Sequence, residues 1–185
     1  MSQAAAKNTQ SSKFSVRDIC YTGLFAAVIA VMAQISIPMP LGVPMTMQTF
    51  AITLAAVVLG SKLSAMASLV YLILGAVGVP VLASFSGGID KFVGPTGGFL
   101  ISFPLMAYII GLGVEHRNAF KGAFPLAVVV GTVVNYIVGV ILFVIVAHST
   151  VAVAISACVL PFIPTAIIKA VLACAIGLNI RKRIP

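Results

Sequence analysis

Charged residues are scarce in this sequence, and acids are almost absent. Only 8% of the 185 residues are charged, and the acids number three: Asp18, Asp90 and Glu115. Soluble domains carry about a quarter charged residues, so these groups are too few to coat a water-facing surface. The shortage argues against a soluble enzyme, a nucleic-acid-binding domain and a disordered chain.

Cysteine and histidine are also sparse, and neither is grouped as a metal site requires. Cys20, Cys158 and Cys174 are scattered with no C-x-x-C spacing, which favours a role as small apolar packing residues. His116 and His148 have no second ligand at a metal-binding spacing. We therefore expect neither a metal nor a cofactor.

Groups that could perform catalysis are missing from the apolar stretches. A membrane-embedded hydrolase needs a nucleophile with a base, or paired acids. The intramembrane candidates here are Ser and Thr hydroxyls with no neighbouring acid or histidine. The sequence also lacks G-x-x-x-x-G-K-[ST], the loop that holds ATP phosphates. We expect a protein that is not an enzyme and does not bind ATP through a P-loop.

Hydrophobic residues make up 61% of the chain and the mean hydropathy is +1.21, which indicates an integral membrane protein. Long charge-free runs, broken by proline and glycine, predict an all-α bundle. The six predicted membrane-spanning helices cover residues 19–37, 45–59, 63–79, 97–114, 124–147 and 164–180. Residues 149–160 fit either an interfacial helix or an early extension of the sixth helix.

The distribution of basic residues predicts the orientation. With six spans, Lys91 alone lies on one face and Lys169 lies inside a helix. The other nine of the 11 cations share the opposite face: Lys7, Lys13, Arg17, Lys62, Arg117, Lys121, Arg181, Lys182 and Arg183. The positive-inside rule then places both termini in the cytoplasm. We expect residues 1–16 to form a disordered cytoplasmic leader and residues 17–185 a single transmembrane domain surrounded by lipid.

Lys169 is the clearest anomaly in the apolar runs. A lysine at the bilayer centre costs about 2.5–3.5 kcal/mol on insertion scales. One interpretation is that the side chain extends to the interface. The other is that its ammonium faces a polar cavity and pairs with a ligand anion, since no helix carries an acid and Asp90 of the outer loop is the one carboxylate within possible reach.

The outer loop over residues 84–98 is the second anomaly, because it holds five of the 16 glycines. Glycine allows close backbone approach, and polar backbone at membrane depth is tolerated where it lines a cavity. If the loop folds inward, Gly94–Gly98 would present backbone groups near the start of the fourth predicted helix. The alternative is a flexible connection.

Isolated polar and small residues complete the set. Gln48, at the entry to the second helix, could bind a ligand or form a cap or an interhelical hydrogen bond, and the same applies to Asn135 and Tyr136. In the first helix Gly23/Ala27 and Ala26/Ala30 each form a small-xxx-small pair, which permits close helix packing.

Taken together, these residues resemble the BioY family, the substrate-binding S-components of energy-coupling-factor (ECF) biotin transporters. The matching stretches are VPMTMQT at 43–49, YLILGAVGVPV at 71–81, SGG at 86–88, GPTGGFL at 94–100 and LPFIP at 160–164 leading to Lys169. The resemblance covers nearly the whole chain after residue 17. It implies a six-helix fold in a prokaryotic plasma membrane that binds biotin in an outward-opening pocket.

The resemblance also implies partners and site residues. The partners are a transmembrane coupling protein and two cytoplasmic ATPases, and Ala26 and Ala30 match the family's contact with the coupling protein. Lys169 would pair with the biotin carboxylate or bind the ureido oxygen. The remaining substrate-binding candidates are Gln48, Phe85, Gly88, Asp90, Gly94, Thr96, Gly98, Phe99, Asn135 and Tyr136.

One position departs from the family pattern. The family often has Gly-Asp after the proline of the sixth helix, whereas Pro164 is followed here by Thr165 and Ala166. Because this carboxylate is missing, the geometry of ligand recognition, the ligand affinity and even the identity of the bound vitamin could differ from the family pattern. We therefore expect a high-affinity biotin-binding uptake subunit; the rival interpretations are an S-component for another small vitamin and a solitary biotin carrier without ATPases.

Overall fold

The computed structural model describes residues 15–39, 42–118 and 122–183, which form a helical bundle with one short β-ribbon. Most of the expected leader, residues 1–14, lies outside the described residues. The elements in chain order are α1 Val16–Ala33, β1 Ser36–Ile37, β2 Met45–Thr46, α2 Gln48–Leu59, α3 Ser61–Ala76, α4 Asp90–Val93, α5 Gly97–Glu115, α6 Ala123–Val146, α7 Val151–Cys158 and α8 Ile163–Arg181.

The outward faces of the long helices are apolar. Four stretches of the described chain are long and apolar enough to cross a membrane: α1, α5, α6 and the 31-residue run Val151–Arg181 formed by α7 and α8. Exposed side chains such as Ile137 and Val171 lie on these faces, 53% and 62% exposed. An apolar surface of this extent suits lipid rather than water. The chain is therefore a membrane protein, and the predicted count of six spans stays a prediction, because α2 and α3 are shorter.

The first helix ends earlier than the sequence predicts. α1 begins at Val16, where the Ser15 hydroxyl caps the first turn together with Asp18, and it ends at Ala33 rather than near residue 37. The next residues form an antiparallel ribbon in which Ser36 pairs with Thr46 and Ile37 with Met45. The ribbon explains the difference, because pairing with the second strand holds Ser36 and Ile37 in an extended conformation.

α2 is the central helix of the bundle. Ten of its 12 residues are buried, and it packs against α1, α3, α5 and α8. A helix that is hydrophobic on all sides is expected in such a position. It begins at Gln48 rather than at residue 45, since Met45 and Thr46 belong to the ribbon. The entry to α2 is therefore placed directly beside the ribbon.

A single residue, Gly60, joins α2 to α3, with a left-handed φ of 84°. Two charged side chains hold this joint. Glu115, at the end of α5, accepts hydrogen bonds from the Ser61 amide at 2.7 Å and from its hydroxyl. Arg181, at the end of α8, donates to the Val57 carbonyl at 2.9 Å. An acid at a helix start and a cation at a helix end both complement the helix dipole.

The segment that the sequence left ambiguous forms a separate helix. α7 covers Val151–Cys158, and its first turn is capped by the Thr150 hydroxyl. A 3₁₀ turn over Leu160–Phe162 follows, and α8 begins at Ile163 with Pro164 in its first turn. The predicted start of the last helix near Pro164 is confirmed, because proline suits the first helical turn.

Candidate functional site

A cavity of about 440 Å³ lies at the end of the bundle where α2 and α5 begin. This volume falls within the range of small-molecule sites. Its wall includes parts of the ribbon, the loop before α4, and the helices α4, α5, α6, α7 and α8. Its lining includes Thr46, Gln48, Thr49, Ser84, Ser86, Asp90, Lys91, Gly94, Thr96, Phe99, Phe103, Asn135, Tyr136, Cys158, Phe162, Thr165, Ala166 and Lys169.

Lys169 reaches this cavity from α8. Its ammonium donates a hydrogen bond of 2.6 Å to the backbone carbonyl of Thr46 in β2. The side chain is half-buried and lines the cavity, so it faces the cavity rather than extending to the membrane interface. A cation with a carbonyl acceptor remains available to a ligand anion, because a carbonyl contributes only a partial charge.

Gln48 is held in a short hydrogen-bond network. Its amide oxygen accepts from the Thr46 hydroxyl at 2.7 Å, and its amide nitrogen donates to the Tyr71 hydroxyl. Gln48 is 5% exposed and Tyr71 is fully buried. A buried amide that is fixed on both sides presents one orientation to the cavity.

Asn135 contributes to the cavity wall from α6. Its side-chain nitrogen donates to the Phe99 carbonyl at 3.1 Å and to the Ser102 hydroxyl at 2.8 Å. Phe99 lies against Gly139, where a Cβ atom would come within 2.4 Å of three ring carbons. The glycine therefore lets the Phe99 ring lie against α6, and Phe99 and Tyr136 supply aromatic surface to the cavity.

Asp90 and Lys91 bring opposite charges to the cavity from α4. Their side chains lie 3.5 Å apart and are substantially exposed. Asp90 therefore pairs with its neighbour, whereas Lys169 donates to Thr46. The expectation that Asp90 could serve as the partner of Lys169 does not describe this structure.

The glycine-rich loop reaches the site only in part. Gly94 and Thr96 line the cavity, and the Thr96 carbonyl accepts from the first turn of α5. Gly98 lies outside the lining and packs against α6, where a Cβ atom would meet the Val138 carbonyl at 2.5 Å. Gly88 also lies outside it, with φ +110° and its amide bonded to the Gly75 carbonyl. Gly98 therefore serves close helix packing, and Gly88 serves a left-handed turn.

Phe85 does not face the cavity. It is 72% exposed, and its φ of 55° lies in the left-handed region. The preceding residue, Ser84, also has a left-handed φ. The expectation that Phe85 would be a substrate-binding residue is wrong for this structure, because the sequence of a loop does not reveal which way its side chains point.

Several lining residues were missed by the sequence analysis. Thr165 lies four residues before Lys169 and Phe103 four residues after Phe99, so helical spacing could have placed both on the site-facing side. Cys158 and Ser84 carry no such local signal, since α7 and the loop are brought to the site by the tertiary fold. Ala166, where the family often has an acid, also lines the cavity.

A smaller cavity of about 20 Å³ adjoins the main one. Both are lined by Thr49, Asn135, Tyr136, Ala166 and Lys169, and the smaller one extends towards Thr53 and Thr132. It is large enough for one water molecule.

The two small-residue pairs of α1 face different ways. Ala26 is 3% exposed and belongs to the hydrophobic core, and Ala30 is half-buried against it. Gly23 and Ala27 are exposed, and a Cβ atom on Gly23 would meet nothing within 4 Å. Ala26 therefore presents no surface to a partner, which corrects that part of the predicted contact. The rotation of the helix therefore buries Ala26 and leaves Ala30 half-buried.

The fold and cavity together define a membrane-embedded protein with a site for a small molecule. The BioY family model matches residues 6–185, and the chain belongs to this family. The biotin transporter BioY of Thermotoga maritima is 42% identical over 168 residues, which cover 90% of this chain and 97% of that protein. The biotin transporter BioY of Rhodobacter capsulatus is 36% identical over 167 residues, covering 84% and 88%.

A solved structure is similar over nearly the whole chain. The crystal structure at 2.1 Å of the S-component for biotin from an ECF-type ABC transporter matches with a TM-score of 0.80 and 27% sequence identity. The match covers 96% of this chain and 95% of that chain.

Proposed function

We propose that this chain is the biotin-binding and uptake subunit, the S-component, of an ECF-type vitamin transporter. Membership of the BioY family and likeness to a biotin S-component support the assignment. The observation that carries it is the cavity, in which Lys169 faces a wall of fixed amides and aromatic rings. Its volume suits a ligand of vitamin size.

The chemistry of the cavity suits the chemistry of biotin. Biotin combines an apolar tail, a carboxylate and a ureido ring that needs several hydrogen bonds. Lys169 would pair with the carboxylate or donate to the ureido oxygen, and Gln48 and Asn135 would supply further polar contacts. Phe99 and Tyr136 would contact the apolar parts. Without an acid at residue 166, Lys169 depends on the ligand to supply the negative charge.

For membrane placement, we propose six spans with both termini in the cytoplasm of a prokaryotic cell. Among the described cations, Arg17, Lys62, Arg117, Lys182 and Arg183 lie at the ends of α1, α3, α5 and α8 away from the cavity. The positive-inside rule places that end in the cytoplasm, so the cavity opens outward.

Transport by this subunit would require energy from partners, because the sequence lacks a P-loop. We propose that it works with a transmembrane coupling protein and two cytoplasmic ATPases. The exposed pair Gly23 and Ala27 on α1 is the proposed contact with the coupling protein, since small residues let two helices approach closely. ATP hydrolysis in the partners would then reorient the subunit and release the vitamin inside.

Titration of the purified full-length chain with biotin tests the proposal. We expect saturable binding of one biotin per chain, with riboflavin and thiamine as non-binding controls. Retention of another vitamin in place of biotin would favour an S-component of different specificity. Uptake into liposomes holding this chain alone would instead favour a solitary carrier, and the absence of any vitamin binding would overturn the assignment.

A further inference from the structure

The turn over residues 82–86 forms part of the cavity wall and has a strained backbone. Ser84 has φ 57° and ψ 41°, and Phe85 follows with φ 55°. Left-handed conformations are unfavourable for residues other than glycine, and two in succession need support from their surroundings. Leu82, Ala83, Ser84 and Ser86 line the cavity, whereas Phe85 points away from it. The conformation of this turn therefore sets the position of four wall residues.

Gln34, at the end of α1, holds this turn at both ends. Its amide oxygen accepts from the Phe85 amide at 2.7 Å, and its amide nitrogen donates to the Val81 carbonyl at 3.2 Å. The same nitrogen donates to the Ala30 carbonyl at 2.8 Å, which ties the side chain to α1. Gln34 does not line the cavity itself.

A second contact joins the turn to the ribbon. The hydroxyls of Ser36 and Ser84 lie 2.8 Å apart. Ser36 pairs with Thr46, whose carbonyl accepts the hydrogen bond from Lys169. The strained turn and the Lys169 ammonium are therefore connected through one ribbon, so a shift of the turn would disturb both sides of the cavity.

A purely local role for Gln34 explains only part of this geometry. A helix C-cap would be satisfied by the bond to Ala30, one turn back in α1. The two other bonds link Gln34 to Val81 and Phe85, which lie 47 and 51 positions further along the chain. These two residues mark the ends of the segment that contains the left-handed pair. Among the described residues, the structure gives the Phe85 amide no other acceptor.

We propose that Gln34 is a positioning residue for the cavity, which maintains the left-handed Ser84–Phe85 turn as part of the wall that holds the ligand. This inference rests on the proposed function for its ligand, biotin. Without Gln34 the pair would relax to commoner backbone conformations, and Ser84 and Ser86 would leave their places in the wall. Bound biotin would then dissociate faster.

The central experiment measures biotin dissociation from the full-length chain in detergent. Gln34→Met keeps the size of the side chain and removes its hydrogen bonds, and we expect dissociation to accelerate about tenfold. Phe85→Gly in the same background should restore most of the loss, because glycine adopts a left-handed φ without penalty. Phe85→Ala removes the same ring but keeps that penalty, so it should not restore binding. Since Phe85 points away from the cavity, neither change alters a lining side chain.

A hydrogen-exchange measurement on the ligand-free chain separates this inference from the proposed function. Gln34→Met should raise amide exchange at residues 82–86 about tenfold and leave α6 unchanged. If the unaltered chain binds no biotin, the proposed function fails, and exchange still tests whether Gln34 holds the turn.

Ser36→Ala is a second variant in case Gln34→Met does not fold, and we expect it to accelerate biotin dissociation about threefold. Ser156→Ala, in the exposed part of α7, is its control.

The outcomes are distinct. Faster dissociation that Phe85→Gly reverses and Phe85→Ala does not would support the positioning role. Unchanged dissociation and exchange in Gln34→Met would overturn it. Equal effects of the glycine and alanine changes would also overturn it, because the left-handed backbone would then not be what Gln34 maintains.

Discussion

The Lys169 ammonium donates a 2.6 Å hydrogen bond to the carbonyl of Thr46, a residue 123 positions earlier in the chain. This contact closes one side of the cavity by joining α8 to the ribbon that precedes α2. It also places a cation where the described residues offer it a carbonyl rather than a carboxylate. The arrangement is suited to a ligand that brings its own acceptor or negative charge.

Lys169→Ala should weaken biotin binding more than tenfold, because the change removes the cation that would pair with the ligand, and a charge-assisted hydrogen bond contributes about 1.5–3 kcal/mol. Expression should be unaffected. Isothermal titration of the purified variant measures the effect. Lys62→Ala, at the start of α3 away from the cavity, is the matched control and should bind as the unaltered chain does. Unchanged affinity in Lys169→Ala would remove Lys169 from the binding site.

Gly139→Ala should also reduce biotin affinity, by about tenfold. The added Cβ would overlap the Phe99 ring, 2.2 Å from its Cε1 atom, so the ring must shift towards the cavity. A shift of this kind in a packed site costs about 1–3 kcal/mol. Gly131→Ala lies on the same helix, contacts Ile110 outside the cavity and serves as the control. If both variants bind biotin equally well, Phe99 does not shape the ligand site.

Ala27→Trp should abolish co-purification with the coupling protein while leaving biotin affinity unchanged. A bulky ring on the exposed small-residue face of α1 would prevent close helix approach. Val129→Trp on the exposed face of α6 controls for a large aromatic residue facing lipid; Val129 is 59% exposed. Retention of the complex by Ala27→Trp would place the partner contact elsewhere.

Gly60→Ala should lower the free energy of unfolding by about 1–3 kcal/mol, because alanine is strained at a left-handed φ. Its Cβ would also lie 2.5 Å from Glu115 Oε1 and disturb the bond to the Ser61 amide. Thermal unfolding in detergent measures the loss. Gly23→Ala, where a Cβ meets no atom within 4 Å, is the control and should not destabilise the chain. Biotin affinity should be retained, since Gly60 lies at the end of α2 opposite the cavity.

The positions of the long helices and of Gln48 and Lys169 could be predicted from local signals. The predicted bounds of α5, α6 and α8 agree with the structure to within one residue, although α5 continues through Pro104. The end of α1 was misplaced because Ser36 and Ile37 join the ribbon only through pairing with Met45 and Thr46. The outward direction of Phe85 was missed for a similar reason, since its left-handed backbone lies in a turn whose amide bonds to Gln34, a residue 51 positions away.

The amino-acid sequence by itself determined that this chain is a membrane protein, that it is built from helices, and that an isolated lysine lies within one of them. These properties follow from hydropathy, proline and charge, which act on short stretches of chain. Only the tertiary structure decided that Lys169 meets Thr46, and that Ala26 is inside the core while Gly23 and Ala27 are outside it. Those outcomes depend on helix rotation and on contacts between segments far apart in the chain, which no local pattern specifies.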